Sequence, residues 1–300
     1  MQRFTRLLPI LLLGFFNYGC SVANLQTDAL ADEQIPDAEA RGRALLQKTY
    51  DAMGYAALAN VETYEMTAHF EWSSLWSAMP MNSLPGNKNK DIRFRYAPNT
   101  FDGQVEYLEG PKAGHVYGIQ SWEAYQRESP NAPVEKLGSK RYPWGLTAYQ
   151  YILEGPMRLM GADVVRYAGE TEFDGNRYDL VFVTWGDGTQ KTKYDQYLVY
   201  INQETGFTDL SEITITDFFL PIPNGMKNAT ARYPKRVKTS IGAWLPTETI
   251  IQLGRPKENV KKDVYTFTYR DFEFDATPRE VLYPMPDLPF YGDSKPENAR

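Results

Sequence analysis

Two histidines, one cysteine and a scatter of carboxylates are the residues of this 300-residue chain whose types could do chemistry. His69 falls on the polar side of an alternating run, where a solvated imidazole is the ordinary outcome. His115 has no histidine partner near it in sequence, so a His-rich metal site is excluded and any metal would need carboxylate partners. Asp102 and Glu106 stand on one side of a strand-like run, as the two carboxylates of a glycoside hydrolase would. A chain with 38 acidic residues, however, supplies such pairs by chance. There is no Gly-x-Ser-x-Gly elbow, no phosphate-binding loop and no Gly-rich dinucleotide turn. The expectation is a protein that is not an enzyme and carries no catalytic set, no cofactor and no metal.

The cysteine has a different chemistry. Residues 1–20 read as a lipoprotein-type signal peptide: Arg3 and Arg6 make a positive start, and Leu7 to Phe16 is an apolar run too short to remain as a membrane-spanning helix. Cys20 follows Gly19, where such a leader is cut and the thiol acylated. Asn17 stands where Leu is usual and Tyr18 is bulky for its position, which leaves simple secretion as the alternative. An acylated Cys20 would hold the chain on a membrane surface, since each buried methylene contributes about 0.8 kcal/mol. Ser21 in place of an aspartate resembles outer-membrane sorting, so the expected location is the bacterial envelope, anchored to the outer membrane and facing the periplasm. Soluble periplasmic or secreted protein is the alternative. A bacterial source makes the Asn228-Ala229-Thr230 sequon a coincidence. A net charge of −6 argues against a nucleic-acid partner.

The elements that would position a site are mostly strands. Tyr64, Met66, Ala68, Phe70 and Trp72 alternate with polar residues over 62–72, and Ile92, Phe94 and Tyr96 do the same over 91–96. Residues 101–107 and 115–119 continue as strands, and 122–127 reads as a helical turn. Runs at 164–173, 177–185, 195–201 and 207–217 are joined by turns too short for anything but antiparallel neighbours. Strands at 228–239, 247–253 and 264–274 complete the set. Helices are expected after Asp37, as its cap, to Met53, and over 143–160, where Trp144, Tyr149 and Ile152 belong to an apolar segment interrupted by Gly155-Pro156. A helix so poor in charge must be covered, and the hollow side of the sheet is the natural cover. Residues 21–36 read as a flexible tether, 37–277 as a single domain and 278–300 as a Pro-rich tail.

Tyr178-Asp179-Leu180-Val181-Phe182-Val183, then Tyr197-Leu198-Val199-Tyr200-Ile201-Asn202-Gln203-Glu204-Thr205-Gly206, then Gly242-Ala243-Trp244-Leu245-Pro246-Thr247-Glu248 is similar to the LolA/LolB-like superfamily of envelope lipoprotein carriers. The resemblance covers roughly residues 37–275. It implies an α+β fold in which a curved antiparallel sheet, a half-barrel, wraps around helices and leaves an apolar groove for acyl chains. Carried onto this chain, the groove candidates are Tyr64, Met66, Phe70, Trp72, Ile92, Phe94 and Tyr96 on the first strands, with Trp144, Tyr149 and Ile152 on the helical insert. Trp76, Met79 and Met81 in the 73–90 loop, and Phe218 and Phe219 in the 218–226 loop, are the lid candidates. The expected function is binding of a lipid or acylated cargo, as carrier or sensor. The alternatives are an assembly lipoprotein with an envelope protein partner and, more weakly, a glycan-binding or carbohydrate-active protein.

Overall fold

The computed structural model describes residues 21–31, 33–77, 81–259 and 263–289. The leader with Cys20, the lid candidate Met79 and the last eleven residues lie outside them. Thirteen strands form one curved, unclosed antiparallel sheet, a half-barrel. In chain order they are β1 (Tyr64–Trp72), β2 (Asp91–Tyr96), β3 (Gly103–Tyr107), β4 (Val116–Gln120), β5 (Glu123–Arg127), β6 (Glu135–Lys136), β7 (Val164–Phe173), β8 (Asn176–Thr184), β9 (Tyr197–Asn202), β10 (Thr208–Thr214), β11 (Asn228–Lys238), β12 (Trp244–Leu253) and β13 (Tyr265–Phe274). Their spatial order is β6-β5-β4-β3-β2-β1-β13-β12-β11-β10-β9-β8-β7. Two meanders therefore meet where β1 pairs with β13, Phe70 opposite Phe267 and Trp72 opposite Tyr265. Between β6 and β7 the chain must pass from one edge of the sheet to the other. Helix α3 (Arg141–Leu159) makes that crossing over the hollow face, after α1 (Ala38–Ala52) and α2 (Tyr55–Ala59) nearer the N-terminus.

Several local expectations change. Residues 123–127 are strand rather than helical turn. Ser121 and Trp122 both take positive φ, giving a tight hairpin without the glycine or asparagine that usually marks one. The opposite Gly118 has no Cβ, and the ring of Tyr125 lies over it: a Cβ there would be 2.1 Å from the ring. Gly155-Pro156 does not interrupt α3, which runs unbroken for 19 residues. Pro156 is buried, and on either side of it the helix is clamped by packing. Asp37 precedes α1 but makes no side-chain cap bond. The buried face of α1 is Ala38, Gly42, Leu46 and Thr49.

The segment expected as a tether is packed. Val22, Leu25 and Leu30 are buried, the Leu25 amide donates to Gln196 Oε1 (2.8 Å), and Leu25 and Leu30 cover Tyr178, Leu180 and Leu198 on the outer face of β8 and β9. This second cover explains why those strands are apolar on both faces. At the other end of the sheet the early part of the Pro-rich tail covers the outer face. Leu282 is buried, and Gln120 exchanges two hydrogen bonds with the backbone of Met285 (2.6 and 2.9 Å).

Helix α1 lies against the edge strand β7 so closely that a Cβ on Gly42 would stand 2.7 Å from backbone atoms of Arg166 and Tyr167. Alanine is favoured over glycine within a helix by about 1 kcal/mol. Here the clash is with backbone that cannot swing aside, so Gly42→Ala is expected to destabilise the protein by about 1–3 kcal/mol in urea denaturation. A neutral or stabilising result would show that α1 is not seated on that edge.

Candidate functional site

Helix α3 has two faces with different surroundings. Leu146, Tyr149, Leu153 and Met157 are buried in the main core with β1, β2 and β13. The Tyr149 ring stands 5.2 Å from Phe70 and 5.5 Å from both Phe94 and Phe267. Polar contacts fix the rotation of the helix about its axis. The Tyr64 hydroxyl donates to Glu154 Oε1 (2.6 Å), the Tyr55 hydroxyl to the Leu153 carbonyl (2.6 Å) and the Tyr96 hydroxyl to the Leu146 carbonyl (3.2 Å). Arg158 pairs with Glu154 at 2.7 Å and donates to the Thr100 carbonyl. Burial, and then the neighbouring Glu154, push the Tyr64 hydroxyl far above its usual range, so it stays a donor.

The other face carries Trp144, Thr147, Ala148, Tyr151, Ile152 and Gly155, three or four residues apart and half-buried. It looks into a cavity of ≈ 400 Å³ whose far wall is the inner face of β9 to β13. Opposed positions in the strand register explain why space remains there. The inward row running across the sheet from Trp72 is Tyr265, Ile251, Ala231, Ser211 and Val199. Large rings therefore fill the β1 and β13 end, while Ala231 and Ser211, with Ala229 beside Ile213 in the next row, leave the middle hollow. The walls are mainly apolar, with Tyr151, Tyr197, Tyr233 and Tyr265 among their residues.

Of the ten groove candidates, Trp144 and Ile152 line this cavity. Tyr64, Met66, Phe70, Trp72, Ile92, Phe94, Tyr96 and Tyr149 face the hollow side of the sheet but are packed into the core beneath α3. The sequence reading missed Ser211, Ala229 and Ala231; small residues at the inward positions of β10 and β11 were the available signal. Phe218 and Phe219 lie directly after the lining residues Thr216 and Asp217 and pack against Trp144, Phe218 edge-on and Phe219 tilted, with ring centroids 4.5 and 5.7 Å away. Trp76 packs against the main core, and Met81 is half-buried.

The chemistry-bearing residues are largely used for structure. Asp102 accepts the Ser121 amide (2.6 Å), and Glu106 pairs with Arg95 (2.9 Å). His69, Asp91 and Glu109 bring ligand-type atoms within 4.8 Å of one another. Arg270, however, already pairs with Asp91 (2.5 Å) and Lys90 lies 3.8 Å from Glu109, so cations of the protein itself balance those carboxylates. Lys193, Asp195 and Asp217 supply the charge at the cavity. Asp195 Oδ1 accepts from the amide and hydroxyl of Thr216 (2.7 and 2.8 Å). Burial pushes its carboxyl up to about 6, against the lowering effect of those bonds, and Asp217 adds to the rise.

A folded-state pKa above the unfolded value of 3.8 means that Asp195 favours the folded state in acid, and that this advantage is lost as pH rises from about 4 through about 6. The loss is on the order of 2–3 kcal/mol, since each unit is worth about 1.4 kcal/mol. Asp195→Asn keeps the acceptor and removes the titration. Denaturation of the two proteins from pH 4 to 7.5 is expected to show the variant gaining relative stability as pH rises; parallel curves would place Asp195 in water.

No family model matches this chain, and no curated protein matches it. Solved structures similar to it include a DUF1329 family protein from Desulfovibrio piger (9% identity, TM-score 0.49, covering 84% of this chain and 100% of that one). A LolA superfamily protein from Nitrosomonas europaea is 13% identical, with TM-score 0.47 and coverage of 80% and 96%. An outer membrane lipoprotein-sorting protein domain from Vibrio parahaemolyticus, described as putative, is 7% identical, with TM-score 0.46 and coverage of 81% and 97%. The LolA superfamily, to which the sequence bears a resemblance, is named in the description of one of these structures.

Proposed function

We propose that this chain is an envelope lipoprotein, held to a membrane through an acylated Cys20, that binds a lipid or acylated cargo in the cavity between α3 and β9 to β13 and acts as its carrier or sensor. The observation behind the reading is the cavity itself. At ≈ 400 Å³ it falls within the roughly 300–1,000 Å³ of small-molecule sites, and it is mostly apolar. No helix among the described residues is long and apolar enough to cross a membrane.

Burial supplies the affinity. A tail of about twelve methylenes contributes roughly 10 kcal/mol at about 0.8 kcal/mol each. Association costs at least about 4 kcal/mol, which leaves affinity in the micromolar range or weaker for one chain. In this reading the segment carrying Phe218 and Phe219 parts from Trp144 to admit the chain and returns to exclude water. No covalent step is needed.

Filling the hollow tests the reading. Ala231→Trp and Ala229→Phe place new bulk where the inward row is smallest. Each is expected to weaken uptake of the neutral dye N-phenyl-1-naphthylamine at least ten-fold, while the thermal midpoint is unchanged or raised. Native mass spectrometry of protein purified from membranes should show a co-purifying lipid in the wild type and less in the variants. Dye binding equal in all three proteins, or absent from the wild type, would overturn the proposal.

A further inference from the structure

The charged groups of the cavity say which end of an amphiphile it accepts. Asp195 Oδ1 is occupied by Thr216, but Oδ2 makes no hydrogen bond among the described residues, although the side chain is half-buried and lines the cavity. Asp217 lines the same space from the segment that follows β10. The one cation in the lining, Lys193, is exposed and directs its ammonium over the Tyr194 ring, 4.7 Å from the centroid. The lining therefore carries two carboxylates against one ammonium, and the unpartnered oxygen is a pure acceptor once ionised. A carboxylate or phosphate placed beside it would meet a like charge out of bulk water, whereas an ammonium or hydroxyl would give Oδ2 the partner it lacks.

We propose that the preferred cargo is an amphiphile whose polar end donates hydrogen bonds, either an amine or a hydroxylated head without net negative charge, held at Asp195 with its apolar chain running towards Ala231 and Tyr265. This deepens the carrier reading and rests on it. Free fatty acids and lipids with anionic heads at that end are disfavoured. The carboxyl of Asp195, pushed up to about 6, is ionised at pH 7.5, so the selection operates there.

Displacement of N-phenyl-1-naphthylamine at pH 7.5 by dodecylamine, dodecanol and dodecanoate, all kept below their aggregation thresholds, separates the possibilities. The inference expects dodecylamine to bind at least ten-fold tighter than dodecanoate, with dodecanol between them. Asp195→Asn, which keeps the acceptor for Thr216, should bring the three within about three-fold of one another; Asp217→Asn, which leaves Asp195 and Thr216 themselves unchanged, should narrow the spread. Dodecanoate binding as tightly as dodecylamine to the wild type, or a preference unchanged in both variants, would overturn the head-group inference while leaving the cavity reading intact. Failure of all three to displace the dye, or of the dye to bind, would overturn the cavity reading and this inference with it.

Discussion

A single helix cannot fill the hollow of a thirteen-strand sheet. Strands about 4.8 Å apart make a wall several times wider than a helix about 10 Å across, even after curvature brings its edges together. Where α3 lies across that wall decides what is core and what is cavity. The Glu154 and Arg158 pair, with the Tyr64 and Tyr55 hydroxyls, holds it on the β1, β2 and β13 side. Two ionised groups in a dry interior stabilise little by themselves, because desolvation offsets most of their attraction. Their consequence is positional. A helix rotated or shifted away would leave Glu154 buried and unpaired, a far larger penalty, so α3 has one seat; Leu46 of α1 packs on the inner side of β8 and β9, and the stretch between the two helices, centred on β10 and β11, goes uncovered.

The uncovered stretch could still have been plugged by side chains, as the β1, β2 and β13 side is by Phe70, Phe94 and Phe267. It is not, because the inward positions opposite Tyr151 and Ile152 are Ser211, Ala229 and Ala231. The vacancy thus follows from two independent facts, the seat of the helix and the small residues of β10 and β11. The same region holds the polar decisions. Asp195 ties the segment entering β9 to the segment leaving β10 through Thr216, next to the phenylalanines that pack against Trp144. Closure of the cavity and recognition at its polar wall are in this way built from one stretch of backbone.

The outside of the sheet follows a different logic. Its exposed edges and bare outer face would be open to pairing with other chains. Helix α1 lies on the edge strand β7, the stretch from Val22 to Leu30 covers β8 and β9, and the chain around Leu282 covers the β4 region. Segments that looked like leash and tail by composition are therefore working parts of the domain. A chain held at Cys20 would be held close, since the packed region begins two residues later at Val22.

Much of this was readable from residue order. The alternation of Tyr64, Met66, Ala68, Phe70 and Trp72 against polar neighbours determined a strand with one buried face, and the short turns between 164 and 217 determined antiparallel neighbours, because both are local consequences of backbone geometry. The half-barrel was legible for the same reason. The identity of the cavity wall was not. Both faces of α3 are apolar, so periodicity could not say whether Tyr149 or Tyr151 looks into empty space, and the inward aromatics of β1 and β2 looked like a lining when they are the plug. Residues 123–127 read as a turn because the positive φ of Ser121 and Trp122 leaves no compositional mark. Val22, Leu25 and Leu30 are too sparse to signal burial without the surface of β8 beneath them. Alternation names the side of a sheet a residue faces; only the packing of elements distant in sequence decides whether that side is filled.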